Sequence, residues 1–90
     1  MTVKDLRRQI NSLPSSLDEA LIIQASDEEG NSYSPTFAVC DGYIYDDFNG
    51  GSGDVYMPEK QTADDVFLEE GEWEEKKRTL PKCIIFMPTA

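Results

Sequence analysis

Residues 1–14 read MTVKDLRRQINSLP, and this stretch decides the fold class. Thr2 can cap a helix with Asp5 three positions on, a capping box in which Asp replaces the usual Glu. Val3, Leu6, Ile10 and Leu13 recur at spacings of three and four, which places them on one helical face, with Lys4, Arg7 and Arg8 on the other. Pro14 ends the helix, because it lacks an N–H and its ring clashes with the preceding turn.

Beyond this helix the apolar residues come in short runs bounded by turn formers. Ser15–Glu19 is a polar connector with Leu17 as an anchor, and Ala20–Ala25 (ALIIQA) has the length and bulk of a strand. Ser26–Asn31 (SDEEGN) is a turn: Gly30 and Asn31 tolerate positive φ, and Ser26 and Asp27 can bond their own backbone. Extended chain resumes at Tyr33 before Pro35. Thr36–Tyr45 reads as a further strand with a bulge or bend at Gly42. Residues 46–54 (DDFNGGSGD) read as a flexible glycine-rich loop. Val55-Tyr56-Met57 is a short edge strand ended by Pro58. Thr62–Asp65 resembles a helix start, Val66–Leu68 gives one apolar turn and Gly71 is expected to interrupt it, so 64–78 is expected to be a charged, mobile segment. Cys83–Met87 is the clearest strand, closed by Pro88.

These elements predict an α+β fold, with the N-terminal helix packed on a small, mainly antiparallel sheet of three to four strands. The two most apolar runs, Leu21–Ile23 and Cys83–Met87, are expected to be its central strands. Ninety residues suffice for one modest core, so 1–90 is expected to form a single domain.

The charge is −10 and unevenly placed. From Gln9 to Glu59 there is no Lys or Arg, yet that stretch carries ten acids, and seven more lie between Asp64 and Glu75. Such a field repels nucleic acid and anionic membrane and attracts basic surfaces. The opening residues are amphipathic and charged, unlike a signal peptide, and no apolar run approaches the length of a membrane helix. A reducing cytoplasm follows as the expectation, with Cys40 and Cys83 as free thiols in apolar surroundings.

Catalysis finds little support. The chain has no histidine, which excludes Ser-His-Asp and Cys-His arrangements and leaves too few ligands for a zinc site. Calcium loops starting at Asp27 or Asp47 fail, because the sixth position, which needs Gly, holds Ser32 or Ser52. Gly53 is followed by Asp54 where a phosphate-binding loop needs Lys then Ser or Thr. Lys76-Lys77-Arg78 is one short basic cluster, expected to pair with Glu72, Glu74 and Glu75. No enzyme activity, metal or cofactor is therefore expected.

The opening MTVKDL helix, the Leu13-Pro14 stop, the SDEEGN turn and the closing Cys83–Pro88 strand together resemble a group of small acidic proteins of tailed bacteriophages and prophages. The resemblance covers both ends of the chain. It departs at Met87, where the group carries Trp, and through the middle from Asp41 to Lys77. It implies no established activity, but it implies the cytoplasm of an infected bacterial host. In that setting the expectation is a non-catalytic inhibitor whose acidic, DNA-mimic-like surface binds a basic host DNA-binding protein. The carboxylates assigned to that surface are Asp27, Glu28, Glu29, Asp46, Asp47, Asp54, Asp64, Asp65, Glu69 and Glu70. Two alternatives stand beside it. One is a small-ligand module with Tyr33, Tyr43, Tyr45, Phe48 and Tyr56 around a pocket. The other is an accessory phage protein acting by self-association as a homodimer, through an edge strand at Val55–Met57.

Overall fold

The computed structural model describes residues 1–48 and 50–88. The chain is α+β, with helices α1 (Val3–Asn11) and α2 (Glu70–Thr79), a 3-10 turn (Ser15–Leu17), and strands β1 (Ile23–Ala25), β2 (Tyr33–Pro35), β3 (Ala38–Asp47), β4 (Gly53–Tyr56) and β5 (Lys82–Met87). The strands form two sheets, β1-β2 and β4-β3-β5. The backbone divides into two compact units, Met1–Val39 with Phe86–Ala90, and Cys40–Ile85.

In the first unit the Thr2 hydroxyl accepts from the Asp5 N–H (3.2 Å) and the Asp5 carboxylate accepts from the Thr2 N–H (3.0 Å), closing the capping box. The helix ends before Pro14 as the sequence dictates. None of its residues is fully buried; Asp5 and Leu6 are half-buried. β1 and β2 pair in antiparallel register, Ile23 with Pro35, Gln24 with Ser34 and Ala25 with Tyr33. The SDEEGN turn joins them. Gly30 takes φ +72 there, and a Cβ would run into the Tyr33 hydroxyl.

In the second unit β3 and β4 form a hairpin, Ile44 opposite Tyr56, Tyr45 opposite Val55, Asp46 opposite Asp54 and Asp47 opposite Gly53. β3 runs to Asp47 and β4 begins at Gly53, so both ends of the glycine-rich 46–54 stretch are paired; Asn49 lies outside the described residues. On its other edge β3 meets β5. The Phe37 N–H donates to the Met87 carbonyl and the Tyr45 N–H to the Pro81 carbonyl. The alternation of β3 breaks at Asp41 and Gly42, which are both exposed, and Gly42 takes φ +89, the left-handed backbone that lets the strand bend there.

Ile44, Ala63 and Trp73 are the buried core, with Tyr56, Val66, Leu68 and Leu80 packed against it. Thr62 and Asp65 make a second reciprocal box (3.3 and 2.8 Å), but the chain turns out of it at Phe67, φ +59. α2 then starts afresh at Glu70 and runs through Gly71. That glycine sits in the first helical turn, where the N–H groups lack helical partners in any case and helix propensity counts least.

The expectation about the central strands is overturned on both counts. The central strand is β3, not Leu21–Ile23 or Cys83–Met87: it pairs with β4 on one edge and β5 on the other. β5 is an edge strand. β1 is three residues long, in a separate two-stranded sheet, and leaves Leu21 78% exposed. A second helix, α2, places Trp73 against Ile44 of β3, with its ring edge-on to Tyr56 of β4.

Candidate functional site

α2 (EGEWEEKKRT) orders its charges along its own dipole, with Glu70 and Glu72 in the first turn and Lys76, Lys77 and Arg78 in the last. Trp73 fixes the helix to the hairpin, its ring edge-on to Tyr56 at 5.5 Å. The basic residues are then taken up one by one. Lys76 donates to Asp46 at 2.6 Å, Lys77 pairs with Glu74 at 2.8 Å while lying 5.6 Å over the Trp73 ring, and Arg78 pairs with Glu75. Two of these pairings follow the sequence expectation. The third does not: Lys76 leaves its own helix to reach across to β3.

The cross-strand pair Asp46–Asp54 explains that reach. Like charges directly opposite on adjacent strands repel, and the Lys76 ammonium offsets one of them. The Asp46 carboxylate in turn holds the lysine's pKa above its ordinary value. Burial pushes the Tyr56 phenol up, and the Asp46 and Asp54 carboxylates add to that. Burial likewise raises the Cys83 thiol; both cysteines are free and half-buried.

The ten carboxylates assigned to a partner surface divide into two groups. Four do structural work. Asp27 accepts from the N–H groups of Glu29 (3.1 Å) and Asn31 (3.2 Å) and from the Asn31 side-chain amide (2.7 Å). Asp46 holds Lys76, Asp47 accepts from the Gly50 N–H (2.8 Å), and Asp65 accepts from the Thr62 N–H. The other six, Glu28, Glu29, Asp54, Asp64, Glu69 and Glu70, are exposed. Asp27, Glu28 and Glu29 lie in the first unit and the remaining seven in the second.

The site holds one residue that sequence reasoning misplaced. Phe67, assigned to an apolar turn, is 94% exposed and sits in the left-handed backbone region that aromatic residues rarely adopt. Its neighbours Val66 and Leu68 pack on the core. A positive φ at a non-glycine residue between two core contacts can eject only the residue that bears it, and a sequence carries no signal of that. Of the aromatic set proposed to line a pocket, Tyr33 lies in the first unit and the other four in the second, where the hairpin register puts Tyr45 and Tyr56 on opposite faces. Among the described residues no group of three or more Cys, Asp or Glu is placed to hold a metal ion, and no helix is long and apolar enough to cross a membrane.

The hydrogen bonds to Asp27 set a pH dependence. Asn31, through its side chain first and its backbone second, lowers the Asp27 pKa below the ordinary 3.8. The ionised form is the one that holds the turn, so its stabilisation is complete above the ordinary value and is lost as pH falls through the depressed one. In an acid titration followed by NMR, the amides of Glu29 and Asn31 should shift together with the Asp27 carboxyl carbon, at a midpoint below 3.8. Asp27→Ala should abolish that transition and speed hydrogen exchange in the turn at neutral pH. A midpoint at or above the ordinary value contradicts the turn geometry.

Comparison with protein-family models, with curated proteins and with solved structures finds no match to this chain.

Proposed function

We propose that this chain is a non-catalytic interaction protein of phage type, whose acid-rich unit Cys40–Ile85 binds a basic host protein and competes with DNA for it. One observation carries the reading. The unit holds twelve acids and five bases, and the three bases of α2 are consumed by partners within the chain. Among the described residues, seven exposed carboxylates make no side-chain hydrogen bond or ion pair within the chain: Asp41, Asp54, Glu59, Asp64, Glu69, Glu70 and Glu72. Asp64, Glu69 and Glu70 lie within three residues of Phe67 in the chain, so an exposed aromatic stands among uncompensated negative charges. An aromatic anchor ringed by charge complementary to the partner suits a protein interface.

The test is capture from a bacterial lysate at low salt. The expected catch is a DNA-binding protein that is released by added salt and by double-stranded DNA. Glu69→Gln/Glu70→Gln should weaken capture and flatten its salt dependence. Phe67→Ser should weaken it by roughly tenfold or more, the effect of a typical anchor of about 1.4–2 kcal/mol, with the salt dependence unchanged. Recovery of nothing basic, or of proteins that DNA does not displace, rejects the proposal.

A further inference from the structure

The first unit carries a strand face turned the opposite way from what its composition demands. From Tyr33 to Cys40 exposure alternates strictly: Tyr33, Pro35, Phe37 and Val39 are exposed, while Ser34, Thr36, Ala38 and Cys40 are half-buried. β1 repeats the pattern, with Ile23 and Ala25 out and Gln24 in. The register sets Ile23 opposite Pro35 and Ala25 opposite Tyr33, so the outward residues share one face of the ribbon. Polar side chains point inward instead. Gln24 finds one partner, donating to the Phe86 carbonyl at 3.2 Å. The Thr36 hydroxyl is buried with no hydrogen-bond partner among the described residues. A strand pair with one covered face normally turns its apolar residues to the covered side.

We infer that the outward face of the β1–β2 ribbon, continued through Phe37 and Val39, is the seat of a second copy of this chain in an isologous dimer. Three features select that occupant. First, Tyr33 and Phe37 are 68% and 66% exposed. With the four smaller residues they offer on the order of 600 Å² of apolar surface per copy, taking ~150–250 Å² for each whole aromatic. A standard interface buries about 800 Å² per partner, polar rim included. Second, residues 21–25 and 32–40 hold no charged side chain. The face therefore has nothing with which to recognise a basic partner, and its complement is another uncharged apolar face such as this chain itself supplies. Third, an isolated two-stranded sheet is marginal in water, and a face-to-face partner supplies the missing layer. This inference is independent of the acidic-surface reading, and it moves the self-association expected at Val55–Met57 to a different strand pair.

The two readings respond oppositely to salt. Each chain carries −10, so copies repel at low ionic strength. Dimerisation should tighten as salt is added, whereas binding of a basic protein should loosen. Sedimentation of the purified full chain from micromolar to millimolar concentration should show a reversible monomer–dimer equilibrium whose dissociation constant falls with added salt. Phe37→Glu should weaken it at least tenfold, with circular dichroism and Trp73 emission unchanged. Val39→Glu serves as a second variant should the first disturb the fold. Val55→Glu, outside the face, should leave the equilibrium as it was. A chain that stays monomeric across the range overturns the inference. So does a dimer that ignores both ribbon substitutions, or one abolished by Val55→Glu.

Discussion

Replacing Trp73 by alanine should cost about 3–5 kcal/mol of folding stability, the range for removing a large aromatic from a core. A chain of this size is expected to have roughly 5–10 kcal/mol in total, so the substitution should remove about a third of it or more and lower the unfolding midpoint steeply. Trp73 is 1% exposed and is the largest fully buried side chain. Among the described residues the other buried core residues are Ile44 and Ala63, and neither can grow into the space an indole leaves. Tyr56 loses its edge-on partner and Lys77 the ring beneath it. Urea unfolding followed by far-ultraviolet circular dichroism gives the number, and Trp73→Phe should recover part of it. The substitution also separates fold from surface. Trp73→Ala should weaken capture of a basic protein in step with the fraction unfolded, because the carboxylates lose their scaffold as the core opens. Glu69→Gln/Glu70→Gln should change salt dependence in a protein that still unfolds cooperatively. A Trp73→Ala protein within about 1 kcal/mol of the original would mean that the core lies elsewhere.

That residue shows where sequence reading reached its limit. The first helix was legible because its determinants are local: a cap, a box partner three residues on, apolar spacing and a terminating proline. The α+β class and the bend at Gly42 were legible for the same reason. Trp73 was hidden by its neighbours, since EWEEKKR averages to a solvated segment. One large hydrophobe can nonetheless hold a helix when the charges at its i+3 and i+4 positions, which share its face, are paired: Lys76 with Asp46 and Lys77 with Glu74. The ribbon of the first unit was hidden differently. Period-two alternation says that two faces differ, but not which one the rest of the chain covers, and here the polar face was covered.

The acidic surface was legible as charge and not as geometry. Composition shows eighteen acids, but whether each is free depends on donors the sequence does not place beside it. Asp46 meets Lys76 thirty positions away. Asp47 and Asp65 are taken by backbone N–H groups of their own turns. These internal bonds decide which carboxylates remain to face a partner, and they make the hairpin that carries Asp46 and Asp54 the part of the site most sensitive to backbone geometry.

Gly53→Ala should therefore be the second most damaging single change, at about 1–3 kcal/mol, the cost of forcing an extra methyl into packed space. Its backbone is not in the left-handed region, so the requirement is steric. A Cβ would overlap the Asp46 carbonyl oxygen of the adjacent strand and come within 2.8 Å of the Tyr45 ring. The ring can swing aside, but the carbonyl belongs to the β3–β4 ladder and cannot. Relief requires the strands to part at the Asp47–Gly53 pair, which moves Asp46 relative to Lys76. Gly50 in the same connection offers the opposite case. It takes φ +81 with open space around it, so Gly50→Asn, which tolerates that conformation, should be nearly neutral, and Gly50→Ala should cost roughly 1 kcal/mol through the backbone alone. At position 53 asparagine should be no better than alanine, since the obstacle there is the first carbon of any side chain. Urea midpoints of the four variants at constant m-value decide the matter. If Gly53→Asn proves as mild as Gly50→Asn, the hairpin has room that this packing denies it, and Asp46 and Asp54 are not held in the register that sets them face to face.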